Sequence, residues 1–213
     1  MLMSQPVSGD NSPDKTTEIY YDGLMNFSKF SQQNPIKKWL REIFFISPVV
    51  RQFYGAVLDM GCGPGIYLEK YSGPCLGIDA HPDNVEICLR KGIRAEVGDV
   101  NTFVRENTFD TILLSHVLEH LDNPARAIEN AYRSLKTGGR LIIIVPCYAG
   151  FVAGLREDVG HKHFVAEEDI RQFFKSLNCV VISSSKFPPV FGGKFQELRV
   201  VYKKNLMHPT CVE

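Results

Sequence analysis

Among 213 residues there is no cysteine pair at C-x-x-C spacing, no basic run longer than two residues and no net charge, since 24 Lys and Arg balance 24 Asp and Glu. The longest aliphatic run is the five residues Leu141–Val145. Each absence excludes something. Without a C-x-x-C pair a zinc ribbon or redox dithiol is disfavoured, and the six cysteines at 62, 75, 88, 147, 179 and 211 read as buried thiols. Without a basic block there is no electrostatic footprint for a nucleic-acid backbone. A five-residue apolar run is far short of a membrane span. The opening MLMSQPVSGDNSPDK has neither a basic n-region nor an apolar h-region, so a cytoplasmic protein is expected. The length suits one α/β domain with a modest extension.

What is present divides into four stretches. Residues 1–18 are rich in Ser, Pro, Asp and Asn and read as a mobile tail. Residues 19–54 bring aromatics, then Pro35 opens a helix whose Ile36, Trp39, Leu40, Ile43 and Phe44 share one face, which suggests a cap. Residues 55–204 alternate apolar runs with helical patterns, as a parallel sheet with crossover helices requires, and 205–213 form a short tail. Strands are expected near 56–60, 75–79, 93–97, 109–114 and 140–145, with CVVISSSKF and QELRVVYKK as a final pair.

The organising stretch is Val57–Tyr71, VLDMGCGPGIYLEKY, which reads as strand, ligand loop and helix. Gly61, Gly63 and Gly65 remove three Cβ atoms where the backbone turns and must approach a ligand. Asp59 falls at the strand's end, where its carboxylate should reach loop amides or a ligand cation rather than be buried unpaired. The third glycine comes one residue too early for the dinucleotide fingerprint G-x-G-x-x-G, and no G-K-[ST] follows for a nucleoside triphosphate. A nucleoside without a phosphate chain remains. Asp79, ending the next apolar run, is placed to accept both hydroxyls of a ribose.

On these residues the chain resembles the class I S-adenosylmethionine-dependent methyltransferases: D-M-G-C-G-P-G matches their first motif and G-I-D-A their ribose-binding acid. The similarity runs on through AEVGDV at 95–100, SHVLEHL at 115–121 and LKTGGRLIIIVP at 135–146, and is closest to small-molecule members such as the quinone-biosynthesis methyltransferases. The resemblance implies a Rossmann-like, seven-stranded, mostly parallel sheet flanked by helices, with the last strand antiparallel. It implies S-adenosyl-L-methionine as cofactor and a small-molecule acceptor. The loop residues Asp59, Met60, Gly61, Cys62, Gly63 and Gly65 would meet the cofactor's amino-acid end. Asp79 and Ala80 would meet its ribose, and Asp99 and Val100 its adenine. Ser115, His116 and, from the cap, Tyr21 would complete the contacts.

Acceptor deprotonation would need a base, for which His116, His161 and His163 are the candidates. The run H-V-L-E-H also sets His116, Glu119 and His120 close together, but offers no third ligand from elsewhere in the chain. No metal is therefore expected, with His116 as a pocket residue and Glu119 with His120 as a structural pair. The segment from 147 to 170 reads as a lid over the strand ends. Two other functions fit the fold: a non-catalytic S-adenosylmethionine-binding or interaction protein, and a nicotinamide oxidoreductase.

Overall fold

A computed structural model describes residues 35–146, 161–162, 164–175, 177–187 and 197–205. The expected tail, the first part of the cap with Tyr21, most of the expected lid, and His163 lie outside the described residues.

Seven strands form one sheet: β1 (Val57–Met60), β2 (Cys75–Asp79), β3 (Ala95–Val97), β4 (Phe109–Ser115), β5 (Leu135–Pro146), β6 (Cys179–Phe187) and β7 (Glu197–Lys204). Their order is β3-β2-β1-β4-β5-β7-β6, and β7 runs antiparallel to both β5 and β6. The expected architecture and strand positions therefore hold. The inner strands are apolar without alternation because both sheet faces are covered, and every residue of β1 is buried. Successive side chains then feed two cores: Leu58 and Met60 join the cluster with Ile112, Leu114 and Ile143, whereas Val57 joins the one with Cys62, Leu113 and Ile144.

Helices α3 (Pro82–Arg90) and α4 (Pro124–Ser134) each begin with proline, whose fixed φ suits the first turn and whose missing N–H costs nothing there. Asn123 caps α4 by accepting from the Arg126 amide at 3.2 Å. Helix α5 (Glu167–Phe174) buries Ile170 and Phe174 against the sheet, with the Phe174 ring stacked 3.7 Å from that of Tyr202.

Three local expectations differ. The N-terminal helix α1 (Pro35–Arg41) passes through a π-helical turn, Glu42–Ile46, before α2 (Ser47–Val50). The wider turn shifts the helix phase, so Ile46, Val49 and Phe53 are buried while Ile36 and Trp39 are 66% and 60% exposed. After the glycine loop there is a 3-10 turn at Leu68–Lys70 rather than a full helix, because Tyr71 is already extended and Ser72-Gly73-Pro74 follows. Cys75 and Cys179 are only half-buried, unlike Cys62 and Cys88.

Candidate active site

The sheet reverses its direction of growth at β1, so a crevice opens beyond the carboxyl ends of β1 and β4. The glycine loop closes one side of it. Gly61, Gly63 and Gly65 all have positive φ, at 80°, 52° and 75°. A Cβ on Gly61 would stand 2.4 Å from Val117 Cγ2, and one on Gly65 2.9 Å from Cys88 Sγ, so these two glycines serve packing. A Cβ on Gly63 would meet nothing within 4 Å. Gly63 thus faces open space and is the glycine a ligand can approach.

Asp59 corrects the sequence expectation. Its residue is 1% exposed and neither carboxylate oxygen has a hydrogen-bond partner. Burial, with the Asp79 charge beside it, holds the carboxyl well above the usual carboxylate range. The strand end lies deeper than the apolar run suggested, because the loop folds back over it: the amides of Gly61 and Cys62 both donate to the Ile78 carbonyl, at 2.7 and 2.9 Å. Met60 and Cys62 are likewise buried.

Asp79 is buried and accepts three hydrogen bonds. Its Oδ2 accepts from the Gly63 amide at 2.8 Å, and its Oδ1 from the His81 amide at 2.9 Å and Asn84 Nδ2 at 3.0 Å. A carboxylate offers about four acceptor positions, so a pair of ribose hydroxyls can be received only as the Gly63 amide moves away. Ala80 is exposed next to it. Asp99 is exposed beyond β3, with Oδ1 accepting from the backbone and side-chain nitrogens of Asn101 at 2.8 and 3.1 Å. Val100 is buried in the core.

The end of β4 carries a denser network. Ser115 Oγ lies 3.2 Å from Tyr67 Oη. His116 adopts φ of 54°, a strained value for a residue with a Cβ, and its ring is held from both sides: Nδ1 is 3.2 Å from Glu119 Oε1 and Nε2 3.1 Å from Glu197 Oε1. Burial alone would depress its pKa, but the two carboxylates outweigh that and push it up to about 10. Arg199 completes the set with bonds to Glu197 Oε2 at 2.8 and 3.1 Å and to the Phe45 carbonyl at 3.3 Å. Glu119 therefore pairs with His116 as well as lying near His120. An imidazolium donating from both nitrogens has no lone pair, which sets His116 against the role of general base.

Sequence reasoning missed Glu197, Arg199 and Tyr67, since they reach the site only through the antiparallel return of β7 and the turn after the glycines. It also missed His161 as a neighbour of H-V-L-E-H. The Lys162 amide donates to the Glu119 carbonyl at 2.8 Å, and Lys162 Nζ pairs with Asp122 at 2.9 Å. The His161 ring lies 5.0 Å from that of His120. Ligand atoms of Glu119, His120 and His161 fall within 4.8 Å of one another, and Glu119 Oε2 is buried without a partner.

Comparison with known proteins agrees with this arrangement. A family described as a methyltransferase domain matches residues 58–143, which span β1 through β5 and hold the glycine loop, Asp79 and His116. Residues 58–143 are thus similar to a methyltransferase domain. The chain is 33% identical over 101 residues to the rat mitochondrial ubiquinone biosynthesis O-methyltransferase, a match covering 41% of this chain and 29% of that protein. It is 37% identical over 109 residues to a probable tRNA methyltransferase 9B of mouse, covering 46% and 24%. The solved structure of N-methyltransferase NodS from Bradyrhizobium japonicum, in complex with S-adenosyl-L-homocysteine, superimposes on this methyltransferase fold with a TM-score of 0.68 at 21% identity, covering 90% of this chain and 99% of that one. The chain spans less than two thirds of the length of most of the curated relatives it matches. Among the described residues no helix is long and apolar enough to cross a membrane.

Proposed function

We propose that this methyltransferase binds S-adenosyl-L-methionine against the glycine loop and transfers its methyl group to a small-molecule acceptor. The observation that carries the reading is Asp59, a buried carboxylate with two unpartnered oxygens on the strand that leads into Gly63, the loop glycine that faces open space. An unpaired buried acid costs free energy unless a cation or donor arrives, and the ammonium of an amino-acid moiety supplies both. Asp79 would take the ribose as Gly63 moves, and Asp99, exposed beyond β3, the adenine amine. Tyr21 would close over the cofactor from the cap.

The cofactor when bound supplies an activated methyl group, and the chain's part is to align an acceptor with it and keep water away. His116, clamped as a cation by Glu119 and Glu197, orients the end of β4 and stabilises negative charge nearby. His161, or His163 beside it, serves as base if the acceptor is a hydroxyl. Isothermal titration with S-adenosyl-L-homocysteine, followed by a product screen on quinols, amines and tRNA, tests the reading. Methylation of a small molecule is expected. Product on tRNA alone would replace the acceptor class, and binding without any product would favour the non-catalytic alternative.

A second reading is favoured by the meeting of Glu119, His120 and His161: a divalent ion there would polarise an acceptor hydroxyl. Exhaustive chelation decides between the two. Turnover that survives EDTA supports the metal-free path, and loss restored by magnesium or zinc assigns the ion.

A further inference from the structure

The two buried thiols beside the cofactor loop have no part in the chemistry above. Cys62 sits between Gly61 and Gly63 in the loop, and Cys88 projects from α3, one turn after Asn84. Both Sγ atoms approach the same acceptor, the Gly63 carbonyl, at 3.5 and 3.4 Å. The Cys88 thiol is held below the ordinary cysteine range, chiefly by its Cys62 neighbour and further by Lys91, and the Cys62 thiol above it. Lys91 Nζ reaches the loop itself, donating to the Pro64 carbonyl at 2.9 Å.

We propose that Cys62 and Cys88 are a modification site: hydrogen peroxide joins them in a disulfide that locks the glycine loop shut. The inference rests on the cofactor-binding reading for its consequence, not for its chemistry. The Cys88 thiolate attacks the peroxide, taking one oxygen as a sulfenic acid while the other leaves as water. The Cys62 thiol, giving up its proton, then attacks the Cys88 sulfur and expels that oxygen as a second water. Two thiols are oxidised and one peroxide is reduced.

The consequence follows from the engagement of Asp79. The Gly63 amide occupies Asp79 Oδ2, and Asn84 on α3 occupies Oδ1. A covalent link from Cys62 to α3 fastens the loop to the helix that already grips Asp79. Gly63 cannot then withdraw, and Asp79 keeps one open acceptor position where two ribose hydroxyls need two.

The test treats the full chain with hydrogen peroxide and maps disulfides by non-reducing peptide mass spectrometry. Hydrogen exchange of the Gly63 amide and affinity for S-adenosyl-L-homocysteine are followed in parallel. A Cys62–Cys88 peptide, slower exchange at Gly63 and affinity lowered at least tenfold, all reversed by dithiothreitol, are expected. Cys88→Ser should keep its affinity through peroxide treatment, whereas Cys75→Ser should behave as the parent chain. Absence of the Cys62–Cys88 peptide, or its formation with exchange at Gly63 unchanged, overturns the proposal. Failure of the reduced protein to bind S-adenosyl-L-homocysteine would instead overturn the cofactor reading, while the peptide and exchange data still decide whether the lock forms.

Discussion

Asp59 is the residue whose energetics and function pull in opposite directions. Its folded-state pKa is raised, chiefly by burial and then by Asp79. A group raised on folding contributes stability that is complete below its unfolded pKa and is lost as pH rises through the folded value. Asp59→Asn removes the titration, so the variant without cofactor should melt higher than the parent. The gap should widen as pH rises through the folded pKa and then level, as scanning calorimetry across pH would record. The same substitution should weaken S-adenosyl-L-homocysteine binding about tenfold or more, since a charged hydrogen bond is worth about 1.5–3 kcal/mol. Unchanged affinity would remove Asp59 from the site. Gly63→Val makes a complementary case: its Cβ meets no protein atom, so the cost to folding is the left-handed backbone, about 1–2 kcal/mol, while binding should be abolished in titration calorimetry. Asp59 and Gly63 were both legible in VLDMGCGPG, but their environments were not. Spacing announces that a loop turns at these glycines without saying which one packs and which one faces a ligand.

At the scale of elements, the strands were readable because buried parallel strands are continuous apolar runs. The glycine loop's exit was misread as a helix since LEKY carries helical propensity, and Gly73-Pro74 cuts it short only through the extended Tyr71. The return of β7 also brings Lys204 to a role that no motif marks. This residue is 6% exposed, and its Nζ donates to the Leu135 and Tyr132 carbonyls at 2.7 and 3.0 Å, closing the C-terminal end of α4. A cation at a helix C-terminus is favoured by the dipole as well as by its bonds. Lys204→Met, which keeps the apolar stem, should lower unfolding free energy by about 2 kcal/mol in urea titration while leaving S-adenosyl-L-homocysteine affinity unchanged. A loss below about 0.5 kcal/mol would mean that solvent replaces the lysine at no cost.

For the whole molecule, strain and incomplete pairing concentrate at the carboxyl edge of the sheet. Asp59 has no partner, Glu119 Oε2 has none, and His116 is held at φ of 54°, while the two cores behind them are closely packed. The residues that build this edge come from β1, the turn after it, β4 and β7, so their meeting is a property of strand order β1-β4-β5-β7 and of no contiguous motif. That is why the sequence announced the cofactor half of the site and left Glu197 and Arg199 unseen. A molecule arranged so should gain stability from the ligand that pairs these groups. At a hundredfold excess over its dissociation constant, a ligand that binds only the folded state adds about 2.7 kcal/mol. For a chain of this size each kcal/mol moves the melting temperature by about 2–4 °C, so S-adenosyl-L-homocysteine should raise it by about 5–10 °C. NADH at the same concentration should raise it by less than about 1 °C, because the early third glycine leaves no cradle for a pyrophosphate. Asp59→Asn should shrink the S-adenosyl-L-homocysteine shift while starting from a higher baseline. A shift with NADH that equals or exceeds it would overturn the methyltransferase reading of the crevice, and no shift with either ligand would detach the cofactor from this edge of the sheet.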